Sequence, residues 1–154
     1  MTTIASPRLE PIAPAIVVGV DGSPASDAAL SWAASEALLR QAPLTVVCCW
    51  TVPGVYLSEA YIAPEPAAME RSARAMLDDT IGRVAEAQNV ALAIERLVLE
   101  GSPSRVLLEA SEGAALLVVG ARGRGGFLGL LLGSVATQVV NHGTCPVVVV
   151  PTPE

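Results

Sequence analysis

The sequence contains no lysine, and this absence excludes several kinds of chemistry. All nine basic residues of the 154-residue chain are arginines, against fifteen acidic residues, which gives a net charge of -6. Without lysine there is no Walker-type phosphate lysine, no Schiff-base lysine and no lysine general base. An acidic chain without a basic run is also a poor candidate for binding nucleic acid or an anionic membrane surface.

Histidine and cysteine are scarce as well. His142 is the only histidine, so a metal site that needs two histidines cannot be built. Cys48, Cys49 and Cys145 are odd in number and include an adjacent pair, which does not make a disulfide framework. We interpret them as small buried apolar residues of a protein in a reducing cytosol. A redox or metal role for the adjacent pair is the alternative.

Long hydrophobic stretches and targeting signals are missing too. The most apolar segment, 125–136, is well short of the ~20 residues that span a bilayer. Residues 1–14 lack the charged region and the apolar region of a signal peptide. We therefore expect a flexible lead-in at 1–14 and one domain over 15–154, in a soluble cytoplasmic protein. Apolar residues make up 52% of the chain and charged residues 16%, which excludes disorder of the whole chain.

What the sequence does contain is an alternation of strand and helix signals. Apolar runs predict strands at 15–20, 44–50, 92–99, 114–119 and 147–150, and helical periodicity predicts helices at 24–41, 67–89, 104–112 and 134–141. Near-continuous apolar runs are typical of strands buried on both faces. The pattern predicts an α/β fold with a five-stranded parallel sheet and helices on both faces. The proline-rich stretch 51–66 is interpreted as a long surface loop, which contacts a partner, covers a site or only connects.

A glycine-rich segment after the fourth strand carries the strongest chemical signal. Gly120 and Gly123 follow the strand, and Gly133 and Ser134 open the last helix. Glycine permits positive φ and close approach of a ligand, and loop amides together with a helix N-terminus attract phosphate. These features predict a phosphate site. The same glycines also fit a crowded strand-to-helix connection that holds no ligand.

Asp21, at the end of the first strand, provides the other half of the predicted pocket. Where strand order reverses in a doubly wound sheet, the carboxyl ends of neighbouring strands form a ligand crevice, which would bring Asp21 near Gly120. A carboxylate there suits a ribose hydroxyl or a base amino group, so the predicted ligand is a nucleotide. Arg122 and Arg124 would add positive charge for its phosphates. Alternatively, Asp21 is only a charge at the N-terminus of the first helix.

The spacing Gly120-x2-Gly123-x9-Gly133-Ser134 resembles the ATP-binding signature of the universal stress protein family. The resemblance covers nearly the whole chain after Pro14 and includes residues 18–23, 44–50, 101–103 and 144–146. It implies a flavodoxin-like or Rossmann-like domain with strand order 3-2-1-4-5. Because the glycine motif is kept, the chain is similar to the branch of the family that holds ATP.

The resemblance also assigns nucleotide contacts. It implies that Asp21 meets adenine or ribose, that Gly19 lines the pocket floor and that the backbone of Cys49 faces adenine. Val119 and Gly120 would lie by the ribose. The phosphates would be surrounded by residues of the glycine-rich segment and the last helix, namely Arg122, Gly123, Arg124, Gly126, Gly133, Ser134 and Val135. ATP, with or without Mg²⁺ or Mn²⁺, is the predicted cofactor, and neither a catalytic residue nor a protein metal ligand is predicted.

The function that this resemblance implies is binding and sensing of ATP in the stress response, with slow or no hydrolysis. No side chain is obviously placed to activate water, since His142 is expected a helix length away from the phosphate turn. Three alternatives stay open: AMP or cyclic AMP as the ligand, a dimeric interaction module that the nucleotide only stabilises, and a true ATP-hydrolysing enzyme. A protein partner is expected but not identified.

Two further expectations follow. The apolar segment 145–150 is expected at a sheet edge, where pairing of two fifth strands would form a symmetric homodimer, as the resemblance also implies. The alternative is an edge covered by the chain itself. The second expectation is that Gly120→Ala weakens nucleotide binding more than stability, because a β-carbon there would crowd the ligand.

Overall fold

A computed structural model describes residues 14–52, 64–89, 93–124 and 129–152. Five strands alternate with four helices: β1 Ile16–Val20, α1 Pro24–Arg40, β2 Leu44–Trp50, α2 Pro66–Gln88, β3 Ile94–Glu100, α3 Pro103–Ala110, β4 Leu116–Gly120, α4 Ser134–His142 and β5 Val147–Val150. The strands form one parallel sheet in the order β3-β2-β1-β4-β5, which confirms the predicted fold. Residues 1–13 of the predicted lead-in and 53–63 of the predicted long loop lie outside the described residues.

The sheet is covered on both faces, which explains the continuous apolar runs of its central strands. Successive side chains of a strand point to opposite faces. In β1, Ile16, Val18 and Val20 pack into a core beneath α1 and α2, while Val17 packs into a second core beneath α3 and α4. Because β1 is hydrogen-bonded to β2 on one side and to β4 on the other, these strands form the buried centre of the molecule.

The first helix begins where the sequence places its start signals. Ser23 is the N-cap residue, its hydroxyl oxygen accepts a hydrogen bond from the Ser26 amide at 3.2 Å, and Pro24 follows at the first helical position. This local geometry turns the chain sharply after β1. It therefore leaves Asp21 and Gly22 in a short connection at the carboxyl edge of the sheet.

The fifth strand lies at the sheet edge, beside β4, and its four valines are half-buried. The predicted edge position is therefore observed. Among the described helices, none is both long enough and apolar enough to cross a membrane.

Candidate functional site

A cavity of about 300 Å³ opens at the carboxyl ends of the central strands. The strand order reverses between β1 and β4, and crevices at such points are the usual ligand sites of open α/β sheets. Eleven of the twelve predicted site residues line this cavity: Gly19, Asp21, Cys49, Val119, Gly120, Arg122, Gly123, Arg124, Gly133, Ser134 and Val135. The twelfth, Gly126, lies outside the described residues. The structure thus brings together residues from four separate parts of the sequence.

Asp21 joins the two halves of the cavity wall. Its Oδ1 accepts a hydrogen bond from the Ser23 amide at 2.9 Å, and its Oδ2 accepts one from the Arg124 amide at 3.0 Å. The Asp21 amide in turn donates to Oγ of Ser26 at 3.3 Å. The carboxylate is therefore fixed by the chain on both sides of the crevice.

The charge of Asp21 follows from these contacts. Burial by itself raises the pKa of this carboxyl, but hydrogen bonding with Ser23, the Arg124 amide and Ser26 outweighs burial and lowers the pKa below its ordinary value of 3.8. The side chain is consequently an anion at neutral pH and can only accept hydrogen bonds. A neighbouring hydroxyl or amino group of a ligand would find an acceptor here.

The opposite wall is the N-terminus of α4. Its N-cap residue, Gly133, is extended at φ -72° and ψ 173°, and within the described residues no side chain caps this helix end. The first turn also carries no acidic residue. The amides of this turn and the positive end of the helix dipole therefore face the cavity, and no anionic side chain of the described residues satisfies them, which suits a phosphate.

The segment that follows β4 is held in place by backbone hydrogen bonds. The Ala121 amide donates to the Val150 oxygen at 2.8 Å, and the Gly133 amide donates to the Ala121 oxygen at 2.7 Å. These two bonds bring the α4 N-terminus back beside the end of β4, although 12 residues separate them in sequence. Ser134 is exposed at this turn and lines the cavity.

The two arginines of the segment have different surroundings. Both are exposed and, among the described residues, neither forms an ion pair. The Arg124 guanidinium lies over the turn after β1, since a β-carbon added at Gly22 would be 2.9 Å from its Nη2. Arg122 has its Cα 3.4 Å from the position of a β-carbon at Gly133. Positive charge is therefore present at the cavity mouth from both side chains.

Space, and not backbone conformation, explains two glycines of the site. Neither Gly120 nor Gly123 adopts a positive φ. A β-carbon at Gly120 would lie 2.9 Å from the backbone carbon and oxygen of Ala25 in α1, and one at Gly123 would lie 2.6 Å from Oδ2 of Asp21. Close approach of chain segments, rather than backbone conformation, requires these glycines. For Gly120 the crowded neighbour is helix α1, so Gly120→Ala should also cost stability, which the expectation drawn from the sequence did not include.

An apolar slot completes the cavity, and part of it was missed in the sequence. Val47 and Cys49 of β2 and Pro103 and Leu107 of α3 line it, together with the Gly19 floor. A β-carbon at Gly19 would be 2.8 Å from Cδ1 of Leu107, so α3 packs directly on this floor. The i, i+2 spacing places Val47 and Cys49 on one face of β2, and the i, i+4 spacing places Pro103 and Leu107 on one face of α3. These spacings do not show which face of β2 or of α3 lines the cavity.

Cys48 and Cys49 point to opposite faces of β2. Cys48 belongs to the core beneath α1 and α2, whereas Cys49 packs on the α3 side and lines the cavity. Burial raises the pKa of Cys48 to about 11, with a contribution from Asp21, and raises that of Cys49 to about 12, with a contribution from Cys48. Both are protonated thiols at neutral pH, so neither has the thiolate character of a reactive cysteine. No disulfide joins any two of Cys48, Cys49 and Cys145.

His142, the only histidine of the sequence, does not line the cavity. Within the described ranges, no group of three or more His, Cys, Asp or Glu side chains is arranged to hold a metal ion. His142 lies exposed at the end of α4 and borders a separate groove between α3 and α4.

Comparison with known proteins identifies the class to which this fold and site belong. The model of the universal stress protein family matches residues 14–151, and the chain belongs to that family. It is 38% identical over 135 residues to a universal stress protein of Mycolicibacterium smegmatis. The aligned region covers 88% of this chain and 45% of the relative. A universal stress protein of Mycobacterium tuberculosis is 38% identical over 134 residues, 87% of this chain and 44% of the relative. The chain thus spans about half the length of these relatives.

Solved structures of the family share the fold. A universal stress protein determined in complex with cAMP is 30% identical to this chain and superposes with a TM-score of 0.66, covering 91% of this chain and 98% of the other. This relative is therefore comparable in length to the present chain, unlike the two mycobacterial proteins.

Proposed function

We propose that this protein binds an adenine nucleotide, ATP, in the cavity between β1 and β4. The observation that carries the proposal is the pairing of two complementary walls across one cavity. An ionised Asp21 accepts hydrogen bonds on one side, and the α4 N-terminus, which no described side chain caps, offers donors on the other. A nucleoside needs an acceptor for its hydroxyl or amino groups, and its phosphates need donors and positive potential. The cavity volume of about 300 Å³ falls at the lower end of ligand pockets, ~300–1,000 Å³.

Each predicted contact has a physical role in this proposal. The slot between Gly19, Val47, Cys49 and Leu107 receives the base, because its walls are apolar and its floor carries no side chain. Asp21, Val119 and Gly120 lie by the ribose. The phosphates are held by the residues of the glycine-rich segment and the helix start: Arg122, Gly123, Arg124, Gly126, Gly133, Ser134 and Val135.

The residues of the cavity fit binding better than turnover. A general base works best with a pKa near the working pH, and the pKa of Asp21 is lowered instead. His142 lies at the far end of α4. We therefore propose that nucleotide occupancy, with slow or no hydrolysis, is the signal that this protein supplies to the stress response. A Mg²⁺ or Mn²⁺ ion, if it accompanies ATP, would be held mainly by phosphate oxygens.

Occupancy can act as a signal because it changes stability by mass action. A ligand present at 100 times its dissociation constant stabilises the folded state by about 2.7 kcal/mol. The same arithmetic supports the alternative role, an interaction module in which the nucleotide stabilises a surface for a protein partner. We propose a cytoplasmic location on the basis of the three unpaired cysteines. We also retain residues 15–154 as the nucleotide-binding domain.

Cyclic AMP is a second candidate ligand. It is supported by the 30% identical universal stress protein whose structure contains cAMP. Both ATP and cAMP present an adenine ring, a ribose and phosphate, so the two walls of the cavity suit either. Cyclic AMP lacks the free 2′,3′-diol, which leaves Asp21 one hydroxyl fewer to bind.

We further propose a homodimer through β5. The strand is at the edge of the sheet, and all four of its residues are valines that its own chain covers only in part. An edge of this kind presents backbone groups to a second strand. Sedimentation equilibrium tests the proposal, and a monomer at micromolar concentration would contradict it. Val149→Lys places a charge in the edge strand and should give a monomer. Circular dichroism must show that the variant is folded, because Val149 also packs against the core beneath α3 and α4.

The nucleotide proposal is tested by a matched pair of charge substitutions in α4. Ser134→Glu puts a carboxylate at the cavity, where it would repel phosphate while favouring the helix dipole. Gln138→Glu makes a comparable addition of charge one turn further along the same helix, away from the cavity. Calorimetric titration with ATP, ADP, AMP and cAMP should show affinity lowered by about tenfold or more in the first variant and much less in the second.

Small molecules released from the denatured, purified protein are identified by mass spectrometry in parallel. Release of ATP, or tightest binding of ATP, supports ATP as the ligand, and preference for cAMP supports the second candidate. Absence of any nucleotide and of any binding heat would contradict the proposal and favour the interaction module.

A further inference from the structure

The Asp21 carboxylate connects two chain segments that are distant in sequence. Its Oδ1 accepts from the Ser23 amide, two residues away, and its Oδ2 accepts from the Arg124 amide, 103 residues away. The donor in the second bond belongs to the segment 121–124 that follows β4, here called the glycine segment.

Gly123 has no room for a side chain because of this carboxylate. A β-carbon at Gly123 would be 2.6 Å from Oδ2 of Asp21, and its next contact, at 3.8 Å, is with Cγ of the same residue. Because Gly123 does not adopt a positive φ, its backbone would accept alanine. The Asp21 carboxylate therefore accounts for the glycine at this motif position.

Arg124 also packs on the turn beside Asp21. The Arg124 guanidinium lies over Gly22, where an added β-carbon would be 2.9 Å from Nη2 and 3.2 Å from Cγ of Met76. Both the backbone and the side chain of Arg124 thus rest on the connection between β1 and α1. The contact is a second attachment of the glycine segment to the same place.

We propose that Asp21 is a positioning residue that holds the glycine segment across the cavity before a ligand arrives. This role differs from the nucleotide contact proposed above, and it rests on that proposed function only in assigning a purpose to the segment. Holding the segment in advance avoids the entropy of ordering it during binding, which raises affinity. The family motif then includes a dependence between two positions: Gly123 must lack a side chain because Asp21 occupies that space.

Limited trypsin digestion of the nucleotide-free protein tests this role directly. The chain has no lysine, so trypsin can cleave only at its nine arginines, of which Arg122 and Arg124 lie in the glycine segment. Cleavage at a folded site follows the population of the locally open form. Loss of a hydrogen bond to a charged group changes such a population by about tenfold or more.

The variant Asp21→Ala should therefore be cleaved after Arg122 and Arg124 about tenfold faster than the wild type. Cleavage after Arg40, at the end of α1, serves as the internal reference for global unfolding and should change much less. An unchanged ratio of the two rates would overturn the proposal. Asp21→Asn, which keeps the shape but removes the charge, gives the same comparison if the alanine variant does not fold.

A double-mutant cycle tests the dependence between the two positions. Gly123→Ala should speed cleavage of the glycine segment in the wild-type background and add little in the Asp21→Ala background, since the carboxylate that it displaces is already gone. Additive effects would overturn the assigned reason for Gly123. All these digestions are performed without nucleotide, so they can succeed where the titrations fail. Conversely, ATP binding together with unchanged digestion of Asp21→Ala would leave Asp21 as a ligand contact only.

Discussion

Substitution of Gly120 by alanine should destabilise the ligand-free protein. The new β-carbon would lie 2.9 Å from the backbone carbon and oxygen of Ala25 and 3.0 Å from its Cβ. Ordinary contacts of a β-carbon begin at 3.4 Å, so α1 would have to move by about half an ångström. Because the obstacle is the backbone of a helix packed on β4, and not a flexible side chain, relief is costly. Overpacking of this kind lowers the free energy of unfolding by ~1–3 kcal/mol.

The assay is thermal unfolding followed by circular dichroism, in the absence of nucleotide. For a domain of this size the loss corresponds to a decrease in Tm of about 3–9 °C. Gly82→Ala is the matched control, because Gly82 lies inside α2, does not adopt a positive φ and has no atom within 4 Å of an added β-carbon. The same chemical change should there raise stability by ~0.5–1 kcal/mol, since alanine favours a helix more than glycine does.

The two glycines are therefore predicted to respond with opposite signs. A Gly120→Ala protein that unfolds at or above the wild-type temperature, yet binds nucleotide more weakly, would refute the packing argument. It would instead support the expectation drawn from the sequence, that the β-carbon crowds a ligand. A Gly82→Ala variant that is strongly destabilised would show that the control site is not as open as the structure indicates.

Three further outcomes are expected. Ser23→Ala should lower the free energy of unfolding by ~1 kcal/mol in urea titrations, because the N-cap of α1 is lost, whereas Ser35→Ala on the exposed face of the same helix should not. Cys48 and Cys49, with pKa values of about 11 and 12, should react with iodoacetamide near pH 8 far more slowly than in unfolded protein, and equal rates would contradict their burial. Folding lowers the pKa of Asp21, so the ionised carboxylate adds to the stability of the fold at pH values above 3.8. This added stability is lost as the pH falls through the lowered pKa. The stability difference between wild type and Asp21→Asn should shrink as the pH falls below 3.8, and a difference that stays constant would contradict the lowered pKa.

Much of the fold was predictable because its signals are local. β2 and β5 have the predicted bounds, since parallel strands covered on both faces appear as unbroken apolar runs. The start of α1 at Pro24 follows from an N-cap serine and a proline, which act within one turn. Boundaries without such signals differ by one or two residues, as in α3, which ends at Ala110 instead of Glu112.

Most residues that line the cavity could be predicted from the sequence, but the structural reason for each residue type could not. Spacing of the glycines and the position of Asp21 at a strand end led to residues that the structure places around one cavity. Their role as nucleotide contacts stays a prediction. Val47, Pro103 and Leu107 were missed, because a residue that lines a cavity from a packed strand or helix has the same apolar character as one that lines the core.

The amino-acid sequence by itself determined the order of the elements, the class of fold and the chemistry available to the site, because propensity, capping and residue type are properties of short segments. The tertiary structure alone decided why positions 120 and 123 require glycine. Gly120 makes room for α1, and Gly123 makes room for a carboxylate 102 positions earlier in the chain. It also decided that Cys48 and Cys49 pack on opposite faces of the sheet. It decided as well that the Asp21 carboxylate accepts a hydrogen bond from the glycine segment. These are distances between segments far apart in sequence, and they exist only once the parallel sheet has brought the ends of β1 and β4 side by side.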